Sequence, residues 1–428
     1  MKVNEEFLYF IWRHAMFNQR DLLDEEGQEI IVIDKGIYNT NAGPDFLEAK
    51  IKIGKELWAG SVEFHMKPSD WFRHNHQHDE RYSNVILHVV YECEGEKKVM
   101  TRLNLPTLSL KGRIPKKYLD NYSRLKFEKG LLPCKSHVKG MSNSLLNVYY
   151  EALLIERFEQ KLNFIESMYK KNQNDLESTI YQLLAYSWGL KINKDAFLLL
   201  AEQLPINLIR KYRGNQNVIE ALVLGHSGLM PYDNLENVIV SSWQGEYKHL
   251  KTVYGLTPIA KRLWYFFQLR PSAFPTIRLS LWATLLSEIH DFESTLLNVS
   301  LKQSLKFLKS LEVSVYWRTH YVFDVESKPR RKKMGNAGAL SILINAIVPL
   351  RMFNARRNNF GQEKWYDVLE ELSELPSEDN SILRKMMENG FSNKDAAQSQ
   401  ALIQLNQAYC ISKKCLNCRI GNEIIRIT

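Results

Sequence analysis

Between Asn41 and Asp79 the chain reads NAGPDFLEAKIKIGKELWAGSVEFHMKPSDWFRHNHQHD, and few folds can use such a stretch. A Gly43-Pro44-Asp45 corner leads into a segment in which Lys50 and Lys52 alternate with Ile51 and Ile53. Gly54-Lys55 supplies a turn, and a second segment follows with Glu63, His65 and Lys67 at period two. Alternate residues of a strand share a face, so the spacing predicts a hairpin with Val62, Phe64 and Met66 turned toward a core. Asp45, at the mouth of the first strand, then lies across the ladder from Glu63. Asp70, His74, His76, His78 and Asp79 close the stretch, and five of the eleven histidines fall between positions 65 and 88.

Carboxylates gathered at a strand end are hard oxygen ligands, suited to Mg²⁺ or Mn²⁺ with positions left open for a phosphate and a water. Asp45 and Glu63 are therefore the expected metal ligands, with His65 or Lys67 orienting the water. Asp45, Glu63, His65 and Lys67 form the expected catalytic set. Asp70, His74, His76, His78 and Asp79 are read as accessory groups, contacting phosphate, ligating zinc or iron, or donating a proton. His88, inside the apolar run NVILHVV, reads as a core histidine.

The rest of the chain divides into a mixed α/β region, a helical region and a cysteine-rich tail, placed at 1–140, 141–392 and 393–428. Strand candidates are Glu29–Lys35, Ala49–Ile53, Leu57–Met66 and Asn84–Glu92, preceded by a helix at 4–17, and PTLSLKGRIP at 106–115 reads as a connector. From about 144 apolar residues recur at helical spacing, with further helices near 175–190, 194–203, 276–290, 298–311, 337–353, 362–374, 380–388 and 393–410. The fold class is α+β.

Cys410-x4-Cys415-x2-Cys418 places three thiols within nine residues, a density suited to ligation of zinc or a [4Fe-4S] cluster. Cys134 is the preferred fourth ligand, with His137 as a substitute and Cys93 less suitable. The 428 residues carry a net charge of +9, which steers acidic partners toward the chain. Two basic segments extend that expectation to nucleic acid: the aromatic-rich run containing Arg270 and Arg278, and Lys328–Gly335 with Arg330, Arg331 and Lys332. No run of about 20 apolar residues suggests a membrane span, and the opening residues lack the order of a signal peptide. A cytoplasmic protein with reduced thiols is the expectation.

Pro44-Asp45 followed 18 residues later by Glu63-x-His65 resembles the signature of the PD-(D/E)XK nucleases. The resemblance implies a restriction-endonuclease-like N-terminal domain and phosphodiester cleavage. His65 departs from the pattern by standing where that family has a lysine, with Lys67 two positions on. Some of those nucleases also pair one upstream cysteine with a C-terminal trio around a [4Fe-4S] cluster. The segments NAGPDF, WAGSVEFH, H-x-H-x-x-D and YSNVILHVV, with LRPSAFPTIRL and the cysteine tail, look like an uncharacterised bacterial family, DUF2851, which carries no activity to transfer. Three functions are open at this level: a metal-dependent nuclease, a nucleic acid binding scaffold without chemistry, and a His/carboxylate metallohydrolase of another substrate.

Overall fold

The computed structural model describes residues 3–93, 105–127, 132–231, 237–358 and 363–427, with 99, 103 and 233. The chain forms two compact units, one of residues 1–142 with 407–428 and one of residues 143–406. The tail beyond Gln407 therefore folds with the N-terminal region, and the helix Ala396–Gln404 belongs to the helical unit.

The first unit is built on a mixed sheet. Helix α1 (Glu5–Arg13) opens it, with the Asn4 side chain accepting from the Phe7 N–H and acidic residues in its first turn. Its apolar face, Phe7, Leu8, Phe10, Ile11 and Trp12, is buried. The strands are β1 (Leu22–Leu23), β2 (Glu29–Asp34), β3 (Ile37–Tyr38), β4 (Phe46–Ile53), β5 (Glu56–His65), β6 (Val85–Val90) and β7 (Thr107–Ser109). They lie in the order β1-β2-β4-β5-β6-β7, with β3 also paired to β4. β4 and β5 are antiparallel, joined through Gly54 at φ +58, where a side chain is disfavoured. β5–β6 and β6–β7 are parallel. The segment expected to be a connector thus contributes an edge strand.

β5 changes character along its length. Glu56–Ala59 are exposed, whereas Gly60–His65 are buried throughout, because both faces are covered there. The parallel partner sets Glu63 opposite His88 and His65 opposite Val90. Trp12 from α1 meets Phe64 edge-on with ring centroids 5.5 Å apart and donates its indole N–H to the Lys35 carbonyl at 3.1 Å.

The second unit is helical, and the 29-residue helix Asn143–Lys171 buries Leu153, Phe158, Leu162 and Ile165. Helices at Ile206–Lys211, Gln216–His226 and Val238–Tyr254 add to those expected. The helical run Asn336–Arg357 has the length and apolar content to cross a membrane, but 67% of its apolar window is buried within the fold. A π turn at Leu343–Ile347 precedes Pro349 and relieves the backbone where proline removes a donor.

Gly60 has no room for a side chain, since a Cβ there would stand 2.5 Å from Ile86 Cγ2 and 2.6 Å from the Asn84 carbonyl. Gly60→Ala is expected to destabilise the first unit by about 1–3 kcal/mol through forced separation of β5 and β6. The midpoint of urea unfolding measures it, and an unchanged midpoint contradicts this packing.

Candidate metal centre

The site begins at the corner before β4. Gly43 takes φ +116, and the Asn39 amide holds the corner by donating to the Pro44 carbonyl at 2.9 Å. Asp45 and Glu63 are then tied by two reciprocal bonds. The Asp45 N–H donates to Glu63 Oε2 at 3.1 Å, and the Phe64 N–H donates to Asp45 Oδ2 at 2.9 Å. The Tyr9 hydroxyl also bonds the Asp45 carboxylate. The carboxylate pair expected from the hairpin is therefore formed, with Glu63 only 5% exposed.

Three histidines converge on it. His65 Nε2 lies 3.8 Å and His76 Nε2 3.3 Å from Glu63 Oε1. His65 Nε2 is 3.1 Å from His74 Nδ1. One ring nitrogen from each of His65, His74 and His76 lies within 4.8 Å of the others. Donors bound at about 2.0–2.1 Å to one tetrahedral ion stand about 3.3 Å apart, so the three imidazoles are close enough to share an ion, with Glu63 beside His65 and His76. His76 Nε2 is buried near Glu63 without a hydrogen-bond partner among the described residues.

Supporting groups fix this arrangement. The buried His88 places Nε2 2.8 Å from His65 Nδ1, so a proton on His65 Nδ1 leaves Nε2 free to ligate. Tyr82 stacks on His76 at 3.9 Å, and Trp71 meets the rings of His65, His76 and His88 edge-on. Glu5, four residues before Tyr9 on the same face of α1, accepts from the Met66 N–H and senses the charge of His74.

The electrostatics suit a cation. Burial raises the Asp45 carboxyl, and burial with the neighbouring Asp45 charge raises Glu63. Burial lowers His65 to about 2, His88 to about 3 and His76 to about 4, so these imidazoles are neutral at physiological pH. Neutral imidazoles beside buried carboxyls offer lone pairs, with no ammonium or guanidinium inserted between them among the described residues.

Several expected residues stand apart. Lys67 lies beyond the end of β5, exposed, with its N–H donating to Asp70 at 3.1 Å. The Asp70 carboxylate is buried and pairs with Arg73 at 3.1 Å, and Asp79 forms an exposed ion pair with Arg81. His78 is exposed at the end of a short 3-10 turn, His76–His78, which breaks the period-two face expected for the histidines. In the helical unit Arg278 and Lys332 are buried and donate to main-chain carbonyls, Arg278 to Trp188 and Lys332 to Trp317 and His320. Both are too buried to meet a phosphate, which corrects the expectation of phosphate contacts there. Arg331 is paired with Glu312, whereas Arg270 and Arg330 are exposed.

Four cysteines gather in the same unit as the sheet. Burial and the sulfurs of Cys418, Cys134 and Cys415 raise the Cys410 thiol. Cys418 precedes the helix Arg419–Arg426, and Gly421 admits the close approach of the Cys415 carbonyl, which a Cβ would meet. Cys134 thus joins the tail trio, while His137 is engaged with Ser136 and Cys93 bonds Glu25.

Residues 5–381 match the family described as "Protein of unknown function (DUF2851)". The chain belongs to the DUF2851 family. The match takes in Asp45, Glu63, the converging histidines and Cys134, and it ends before Cys410, Cys415 and Cys418. The DUF2851 resemblance therefore holds for most of the chain but not for the tail. No curated protein and no solved structure matches it.

Sequence reasoning missed Glu5, Tyr9 and His88 as members of this site. Glu5 and Tyr9 carried a usable signal, two polar groups at i and i+4 on a helix with a buried apolar face. Because the raised Asp45–Glu63 pair retains a proton into the neutral range, binding of Zn²⁺ or Mn²⁺ at pH 7 is expected to release it, and affinity should rise with pH. His65, His76 and His88, kept neutral by burial, release none. Calorimetry in buffers of different ionisation enthalpy counts the proton, and zero release contradicts the raised pair.

Proposed function

We propose that this DUF2851 protein is a metal-dependent phosphodiesterase acting on nucleic acid, with its reaction centre at Asp45, Glu63 and His65. The observation that carries the reading is the clustering of His65, His74 and His76, two of them against the buried Glu63, which is tied to Asp45. The mixed sheet, with the carboxylates at adjoining ends of an antiparallel pair, supports a nuclease-like N-terminal fold. Three imidazoles favour manganese, zinc or iron over magnesium, which prefers oxygen ligands and keeps its waters. His65, His74 and His76 would hold the ion, with Glu63 and Asp45 beside it. A divalent ion supplies Lewis acidity toward a phosphate oxygen and activates water at neutral pH. Asp45, with its raised carboxyl, takes the proton of the attacking water, and Tyr9 holds that carboxylate in place. His88 orients His65. Lys67 has no part in this scheme.

Cys134, Cys410, Cys415 and Cys418 form a second, structural metal site in this reading. Four thiolates suit zinc or a [4Fe-4S] cluster alike. The net charge of +9 supports an acidic polymer as substrate. The His-rich donor set also favours a second reading, hydrolysis of a non-nucleic ester or amide by the same centre.

Purified protein is expected to cleave DNA or RNA with Mn²⁺ or Zn²⁺, to stop with chelator and to resume when metal returns. Asp45→Asn, Glu63→Gln and His65→Ala are each expected to lose about 100-fold or more in rate, while Lys67→Ala stays within a few-fold of wild type. Equal residual cleavage in every variant traces the activity to a contaminant. Turnover of a carboxylic ester without turnover of bis-(p-nitrophenyl) phosphate selects the second reading.

His88→Ala is expected to weaken metal binding about 10- to 100-fold without removing a ligand. Metal titration followed by competition with a chromogenic chelator measures this, and unchanged affinity shows that His88 serves packing alone.

A further inference from the structure

A cavity of about 260 Å³ lies in the sheet unit, walled by α1, Tyr38, the helix Lys116–Phe127 and the segment Ser412–Asn417. Four cations, Arg13, Lys126, Lys413 and Lys414, line it against one carboxylate, Glu6. Arg13, Lys413 and Lys414 are exposed at its surface. Carboxylates elsewhere in the unit take other cations, in Asp70–Arg73, Asp79–Arg81 and Glu92–Lys111. His14 also lines the cavity, with Arg426 Nη2 2.8 Å from its Nδ1. Burial together with the charges of Arg426, Arg13 and Lys35 lowers His14 to about 4, a measure of how positive this wall is. A pocket with this balance recruits anions.

The aromatic lining narrows the class of anion. Tyr9, Tyr38 and Tyr122 face the cavity, with the rings of Tyr9 and Tyr38 5.7 Å apart. Tyr122 gives one face to Phe7, stacked at 4.2 Å. Rings interleaved with cations accept an unstacked base and its flanking phosphates, and a duplex keeps its base faces covered. Tyr9 belongs to both places: it lines the cavity, and its hydroxyl bonds Asp45 of the metal centre. Tyr9 therefore sets the cavity next to the carboxylates. Lys413 takes φ +52 in the loop between Cys410 and Cys418, so the cysteines frame the wall that carries the two lysines.

Resting on the phosphodiesterase reading above, we propose that this cavity is the single-strand binding subsite of the enzyme. Tyr9 and Tyr38 receive an unstacked base, and Arg13, Lys413 and Lys414 hold the phosphates that lead to Asp45 and Glu63.

The test separates binding from cleavage by working in EDTA with the full chain. Fluorescence anisotropy follows fluorescein-labelled oligothymidylate, oligouridylate and a DNA duplex of equal length. Wild type is expected to bind both single strands at least 10-fold more tightly than the duplex. Lys413→Ala with Lys414→Ala, both exposed and away from the core, should weaken single-strand binding about 10-fold or more. The same double variant should lower the slope of log K against log salt by about 1.4, at about 0.7 for each phosphate left without its lysine. Tyr38→Ala should weaken binding about 5- to 150-fold by loss of stacking, with Tyr38→Phe close to wild type. Thermal melting confirms that the variants fold. Wild-type affinity in the lysine variant, or duplex binding equal to single-strand binding, overturns the proposal. Pocket-dependent binding by a protein that cleaves nothing retains the subsite and removes the phosphodiesterase reading. Cleavage with lysine-independent binding does the reverse.

Discussion

Everything assembled in the sheet unit hangs on the reciprocal hydrogen bonds that join Asp45 to β5. The Asp45 N–H reaches Glu63, and the Phe64 N–H returns to Asp45, so each carboxylate is held by the other strand's backbone. Hydrogen bonds to charged groups contribute about 1.5–3 kcal/mol each, and here they also set direction. With Glu63 fixed, the parallel register of β6 brings His88 opposite it, and the His88 ring orients His65. The loop after β5 then needs only to return His74 and His76 to the same point.

The two units handle buried charge in opposite ways. In the helical unit Arg278 and Lys332 are enclosed by main-chain carbonyls, and the buried Glu220 accepts from the Trp317 indole at 3.0 Å. Lys332 and Glu220 are satisfied within the protein, whereas Arg278 Nη2 has no partner among the described residues. In the sheet unit the buried carboxyls adjoin the imidazoles of His65, His76 and His88, and His76 Nε2 and His88 Nδ1 have no hydrogen-bond partner among the described residues. Such a collection costs free energy unless a proton or a cation joins it. In the proposed reading a metal would supply what the side chains omit.

How much was legible varied with the range of the interaction. The Gly54 turn, the hairpin and the placement of Asp45 against Glu63 followed from alternation and turn chemistry, which act over a few residues. Lys67 was misplaced because period-two reasoning holds only inside a strand, and β5 ends at His65. The histidine loop failed the same test, since a short helix at Asp70–Arg73 and a 3-10 turn bring the exposed His74 and the half-buried His76 beside His65 and leave His78 apart. Arg278 and Lys332 read as surface cations because a sequence does not state which face of a helix or loop is covered. The strand at Thr107–Ser109 was overlooked because three residues carry too little periodicity to recognise.

By itself the sequence determined the donor chemistry: two carboxylates on neighbouring strands, a dense set of histidines, a cysteine trio and an excess of cations. Those are matters of residue type and short spacing. Only the tertiary structure decided which histidines converge, that His88 turns from core residue to orienting partner, and that Glu5 and Tyr9 reach the site from the first helix. It also decided that Cys134 joins a tail nearly three hundred residues away in sequence. Parallel pairing and helix packing bring together groups far apart along the chain, and those contacts are selected by burial of whole faces rather than by any local pattern.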